Sequence, residues 1–138
     1  GKLFGPVLPH LDWFLPNDDD ARMVSGRQDL NEAIAWLNDS GVGGTVVTLG
    51  AEGASYTPPG GDEIRVPAYA IDVVDTTGCG DAFSGGFIAG LVEGKDVEGA
   101  MELGVASGSM VATGLGSDAG IIDRASVAAF MESTPKKG

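Results

Sequence analysis

Asp81 closes a run, Asp75-Thr76-Thr77-Gly78-Cys79-Gly80-Asp81, whose residue types suit the handling of an anion. Val73 and Val74 lead into the run, and Phe83, Phe87 and Leu91 follow it at i, i+4 and i+8, the spacing of one helix face. A glycine-rich loop that opens a helix presents backbone N–H groups with no intrahelical partner. They lie at the positive end of the helix dipole, which suits a phosphate. Gly78 and Gly80 let a ligand approach the main chain. A carboxylate in the first helical turn repels that anion unless it does chemistry, and it could accept the proton of a hydroxyl attacking a phosphoryl group. Taken alone, Asp81 is more simply a carboxylate at a helix N-terminus. The paired glycines and Thr76-Thr77 shift the balance toward a general base.

Two phosphate loops of other kinds do not fit. A Walker A loop ends in Gly-Lys-Ser/Thr, and the nearest lysine downstream is Lys95. A dinucleotide fingerprint needs a third glycine where Phe83 stands, which makes hydride transfer a weak alternative. Cys79 as a nucleophile lacks a base, since the one histidine, His10, lies in an N-terminal segment that reads as surface loop. One cysteine and one histidine exclude an internal disulfide and a Cys/His zinc site. With 8 Lys+Arg against 20 Asp+Glu the net charge is −12, which disfavours nucleic acid and anionic membrane as partners but leaves a local amide-built phosphate site open. No apolar run approaches the ~20 residues of a membrane span, and no signal-peptide pattern is visible, so a cytoplasmic protein is expected.

The elements that must position these residues read as an α/β layered domain. Leu11–Leu15 reads as a short strand closed by Pro16. Asn17–Asp20 then caps a helix of about two turns that ends at Gly26. Asp29 and Glu32 have capping-box spacing at the start of a helix to Ser40, with Gly41 at its end. Gly44–Leu49, β-branched and nearly all apolar, predicts a strand buried on both faces, as in a parallel sheet. Ala54–Thr57 and Ile64–Ala68 predict a hairpin, and Ala70–Val74 one more short strand. The helix after Asp81 carries Gly85, Gly86 and Gly90, each costing about 1 kcal/mol against Ala, so something must pack close to its backbone. A helix over 97–113, a glycine loop over 114–120 and a helix capped by Asp123 complete the chain, with Pro135-Lys136-Lys137 as a tail. Trp13 and Trp36 read as core. Such clustering of the 23 glycines at segment ends and in short loops argues against low complexity.

The 75–83 segment resembles the C-terminal signature of the ribokinase-like (PfkB) carbohydrate kinases, Asp-Thr-x-Gly-Ala-Gly-Asp, with Cys79 in place of the usual Ala. Two further stretches are similar in order. Asn17 to Asp20 resembles the family's Asn-x-x-Glu, with Asp20 for Glu, and Thr48 to Gly53 resembles its Thr-x-Gly-x-x-Gly nucleotide turn. Ala112–Gly116 sits where the family has a late glycine loop.

The resemblance implies the C-terminal portion of a ribokinase-like three-layer αβα sandwich and an ATP-dependent phosphotransferase acting on a hydroxyl of a sugar, sugar acid or nucleoside. It implies that Asp81 is the base and that the amides of Gly78, Cys79 and Gly80 form the anion hole. Asn17, Thr48, Gly50 and Gly53 would line the nucleotide, and Asp20 would hold magnesium through water. Asp75, Thr77 and Gly116 would hold a monovalent cation, potassium. It further implies that residues 1–138 are the nucleotide-binding and catalytic-base portion, the N-terminal substrate and lid portion being absent, with self-association or a missing N-terminal half as the partner. The alternative is a nucleotide-binding fragment without catalysis, lacking the acceptor site.

Overall fold

A computed structural model describes residues 3–116, 120 and 123–138. The chain divides into two compact units, one formed by residues 1–50 and 54–65, the other by residues 51–53 and 66–138.

The first unit holds helices α1 (Asp18–Ser25) and α2 (Leu30–Asp39) and a sheet of β1 (Val46–Thr48), β2 (Ala54–Tyr56) and β3 (Ile64–Val66), in the order β1-β2-β3, the last residue of β3 beginning the second unit. Asn17 caps α1, its Oδ1 accepting the Asp20 N–H at 2.7 Å, and Gly26 closes the helix at φ +73°. Asp29 caps α2 through the Glu32 N–H at 3.0 Å, and Gly41 follows the helix at φ +86°. A left-handed residue just past a helix satisfies its last carbonyls and favours glycine, so both stops follow from residue type. The apolar faces of these helices meet β1 in a cluster of Leu8, Ala21, Val24, Ile34, Leu37 and Val47. Leu37 and Val47 are fully buried, each contributing about 1.5–3 kcal/mol relative to exposure.

β1 is buried as expected, but its pairing is mixed. On one edge it runs parallel to residues 14–17, with Val46 N–H donating to the Phe14 carbonyl and Thr48 N–H to that of Pro16, both at 3.0 Å. On the other edge it pairs antiparallel with β2, Val47 opposite Ser55. Apolar character reports burial, not strand direction, so an all-parallel setting could not be read from it. The strand expected over 11–15 is reduced to this single-sided pairing around Phe14. Trp13 is half-buried rather than core: its ring lies 5.7 Å from that of Tyr56 and packs directly against Gly44, where any Cβ would overlap it. Trp36 is likewise half-buried, against the edge of the cluster.

The second unit is built on α3 (Cys79–Val92), α4 (Val97–Ala112) and α5 (Arg124–Ser133). The glycines of α3 are explained by α4. A Cβ on Gly86 would stand 2.6 Å from the Leu103 carbonyl oxygen, and one on Gly90 2.6 Å from Ala100 Cα; in return Gly104 lies against Phe83. Small residues on both helices thus let the two backbones approach closely, and the close neighbour inferred from the sequence is another helix. α5 begins with a reciprocal cap between Asp123 and Ser126, and its Phe130 ring lies 5.0 Å from the buried Tyr69.

The strand expected over 70–74 does not form. Tyr69 instead pairs with Lys136 of the tail, Val74 N–H donates to the Ala112 carbonyl at 2.7 Å, and Val73 and Val74 remain 56% and 57% exposed. Two exposed valines in sequence are the reverse of a buried strand. The hairpin of β2 and β3 forms with shorter strands than expected, and the glycine loop over 114–120 falls partly outside the described residues. Among the described residues no helix is long and apolar enough to cross a membrane.

Candidate functional site

In the second unit, residues 75–81 form a bonded turn that feeds directly into α3. Asp75 Oδ1 accepts from the Thr77 N–H at 3.0 Å and the Thr77 hydroxyl at 2.9 Å. The Thr77 N–H, followed by its hydroxyl and the Gly116 and Thr76 backbone groups, holds the Asp75 carboxyl below the usual carboxylate range. Asp75, Thr77 and Gly116, grouped by the resemblance, do lie together, with Gly116 at φ +98°. The Asp75 carboxylate is engaged by hydrogen-bond donors, so a cation there would rely on carbonyl oxygens. The tie between this turn and α4, through the Ala112 carbonyl accepting from Val74 and Asp75 N–H, has no local signal in the sequence.

Gly78 stands at φ +80°, ψ −2° at the N-terminus of α3, a conformation that favours glycine. Cys79 N–H donates to the Thr76 carbonyl at 3.3 Å and Ala82 N–H to that of Gly78 at 2.9 Å. The N–H groups of Gly80 and Asp81 find no acceptor among the described residues. The open amides of the helix start therefore extend one residue past the triplet read from the sequence, to Asp81 itself, and Cys79's N–H is already turned toward its own loop. Gly80 has open space around the position of a Cβ, so a ligand can come within contact of its backbone. The Asp81 carboxylate is exposed and carries no hydrogen bond or ion pair among the described residues. An unengaged carboxylate one residue from unengaged amides is the arrangement a base beside an anion hole requires.

The surroundings of Cys79 disfavour a nucleophilic thiolate. Burial, helped by the Asp75 charge, pushes its thiol up, and its Sγ points to the Asp75 carbonyl at 3.9 Å. A thiol kept protonated in a partly buried turn behaves as a small apolar side chain.

In the first unit, Asn17 and Thr48 face each other where residues 14–17 run beside β1. Asn17's amide oxygen is occupied by its capping bond. Asp18 and Asp19 pair with Arg22 at 2.7 and 3.4 Å, while Asp20, exposed in the same turn, has no side-chain partner among the described residues. Of the three consecutive acids, Asp20 is the one whose carboxylate is unengaged among the described residues. Gly50 stands at φ +55° with open space around it. Gly53, in the second unit, stands at φ +101°, and a Cβ there would overlap the Val66 carbonyl and lie 2.7 Å from Ala68 N. Among the described residues no three acidic, histidine or cysteine side chains gather as a metal cluster.

The family model described as pfkB family carbohydrate kinase matches residues 5–124. Ribokinase of Haemophilus influenzae is 29% identical over 131 residues, covering 91% of this chain and 42% of that protein. Ribokinase of Thermotoga maritima superposes with a TM-score of 0.87 at 29% identity, over 94% of this chain and 45% of that one. A chain assigned as a ribokinase II from Escherichia coli, solved with ATP and Mg2+, gives a TM-score of 0.85 at 29% identity, over 94% and 42%. The α/β fold is therefore that of a portion of the ribokinase-like sandwich, and the chain spans about two fifths of the length of the curated relatives it matches.

Proposed function

The chain belongs to the pfkB family of carbohydrate kinases, and from that membership we propose that it takes part in transfer of the γ-phosphoryl group of ATP to a hydroxyl of a sugar, sugar acid or nucleoside. One observation carries the reading: among the described residues the Asp81 carboxylate has no partner, and it sits at a helix start whose Gly80 and Asp81 amides also lack one. Asp81 accepts the proton of the attacking hydroxyl. The amides of Gly78, Gly80 and Asp81, with Cys79 at the edge of the set, stabilise the negative charge of the phosphoryl group as it transfers. Asn17, Thr48, Gly50 and Gly53 serve the nucleotide, and Asp75, Thr77 and Gly116 support the loop and a potassium ion. Residues 1–138 act as the nucleotide-binding and base-bearing portion of the kinase fold.

The residues present fit magnesium of the kind that keeps most of its waters. Among the described residues Asp20 offers one unengaged carboxylate, and no cluster of three protein ligands exists to strip the ion. When bound with ATP, magnesium neutralises phosphate charge. Asp20's part is to hold that charge in place from the first turn of α1, with one methylene less reach than the family's Glu.

Asp81→Asn tests the reading. The amide cannot accept the proton, so turnover with a panel of sugars, sugar acids and nucleosides falls by about 10²–10⁴ while Mg·ATP binding stays. Retained turnover would overturn the assignment of the base. Nucleotide binding by the wild type without turnover on any acceptor would establish the second reading, a nucleotide-binding module without catalysis.

A further inference from the structure

The C-terminal Pro135-Lys136-Lys137 is bonded at every residue. Its backbone lies against residues 68–70, with Lys137 N–H donating to the Ala68 carbonyl and Ala70 N–H to that of Pro135, both at 2.8 Å. The two lysine side chains then diverge. Lys136 Nζ donates to Glu102 Oε1 of α4 at 2.6 Å. Lys137 Nζ reaches back 86 residues to donate to the Ala51 carbonyl at 3.2 Å.

Ala51 belongs to the turn that ends at Gly53, and residues 66–68 press on that turn directly. Gly53's backbone approaches the Val66 carbonyl and Ala68 N so closely that no Cβ fits. Residues 51–53 are thus held both by the 66–68 backbone and by Lys137, and the tail that carries Lys137 is itself pinned to Ala68. Because the peptide unit is planar and trans, fixing the direction of the Ala51 carbonyl fixes the whole plane between Ala51 and Glu52, and with it the entry of the chain into Gly53.

We propose that Lys137 is a positioning residue for the nucleotide turn, its ammonium holding the Ala51 carbonyl so that residues 51–53 are set before a nucleotide arrives. The proposal rests on the reading of Thr48–Gly53 as a nucleotide turn given above. Its chemistry is that of preorganisation: a loop already ordered loses less freedom on binding.

The test compares the full chain carrying Lys137→Ala, Lys137→Arg or Lys136→Ala with the wild type, by amide hydrogen exchange over residues 50–53 and by titration with Mg·ATP. Lys136→Ala controls for the loss of one positive charge. Lys137→Ala is expected to speed exchange at residues 51–53 and to weaken Mg·ATP binding by about three- to fivefold, the range of one exposed charge-assisted hydrogen bond. Lys137→Arg is expected to restore both, and Lys136→Ala to leave exchange at the turn unchanged. Unchanged exchange in Lys137→Ala overturns the proposal, as does equal weakening of binding by Lys136→Ala and Lys137→Ala. Faster exchange in Lys137→Ala beside a wild type that binds no Mg·ATP overturns the nucleotide part alone and locates the failure in the reading of the turn.

Discussion

Gly85 and Gly86 are neighbours in α3, yet alanine at the two positions is expected to shift stability in opposite directions. Both substitutions gain about 1 kcal/mol of helix propensity. At Gly85 a Cβ meets nothing within 4 Å, so the gain stands. At Gly86 the same atom would stand 2.6 Å from the Leu103 carbonyl oxygen and the Ser107 hydroxyl, and 2.9 Å from Gly104 Cα. The hydroxyl is itself bonded to the Leu103 carbonyl at 2.9 Å, so it cannot turn aside without losing that bond. Two of the three neighbours are backbone atoms of a packed helix, so α3 and α4 must separate locally. Overpacking of this kind costs about 1–3 kcal/mol, and rigid backbone neighbours place Gly86→Ala at the upper end. The net expectation is about 1 kcal/mol of stabilisation for Gly85→Ala and about 1–2 kcal/mol of destabilisation for Gly86→Ala. At about 3–5 °C per kcal/mol for a chain of this size, the two melting temperatures should differ by roughly 10 °C. Urea denaturation followed by far-UV circular dichroism reads the difference, with unchanged m-values confirming a comparable transition. A Gly86→Ala protein as stable as Gly85→Ala would refute the close α3–α4 contact and, with it, the account of why this helix is rich in glycine.

Gly53→Ala should cost about 2–4 kcal/mol, combining a left-handed backbone with overlap on the Val66 carbonyl; Gly50→Ala, left-handed but in open space, should cost only about 1–2 kcal/mol, and equal costs in denaturation would contradict the packing at Gly53. Alkylation of Cys79 at neutral pH should be slower than that of a free thiol, because burial raises its pKa; rapid labelling by iodoacetamide would speak against the turn as described. The Asp75 carboxyl lies below its ordinary range in the folded chain, so its contribution is fully present above the unfolded carboxylate pKa and is lost as pH falls through the lower folded value. Wild type and Asp75→Asn should therefore differ in stability near neutrality and converge in strong acid; a difference that persists there would exclude the bond network at Thr77.

Much of this was legible in the sequence because it is written in local chemistry. Asn17, Asp29 and Asp123 each sit three residues before the amide they cap, and Gly26 and Gly41 stand where their helices stop. The 75–81 loop was legible for the same reason: Asp75 bonds Thr77 two residues on, and glycine marks the left-handed step into α3. What could not be read depends on partners distant in the chain. β1 is apolar whichever way its neighbours run. Val73 and Val74 have strand-like side chains, but the N–H groups of Val74 and Asp75 go to the Ala112 carbonyl on α4. That Asp20 alone of the three acids is unengaged among the described residues depends on Arg22 taking Asp18 and Asp19. Nothing local to Lys137 announces a bond to Ala51, 86 residues away.

The central claim, that the 75–81 loop and the start of α3 bind a transferring phosphate, is tested most directly by calorimetric titration of the purified chain with Mg·ATP, beside Asp81→Asn and Gly80→Asp. Gly80 is helical with open space at its Cβ, so an aspartate fits there and changes mainly the charge facing the anion. The account predicts binding by the wild type, binding retained in Asp81→Asn, and binding lost in a folded Gly80→Asp. A folded wild type that binds no Mg·ATP, or a Gly80→Asp chain that binds as the wild type does, would contradict it.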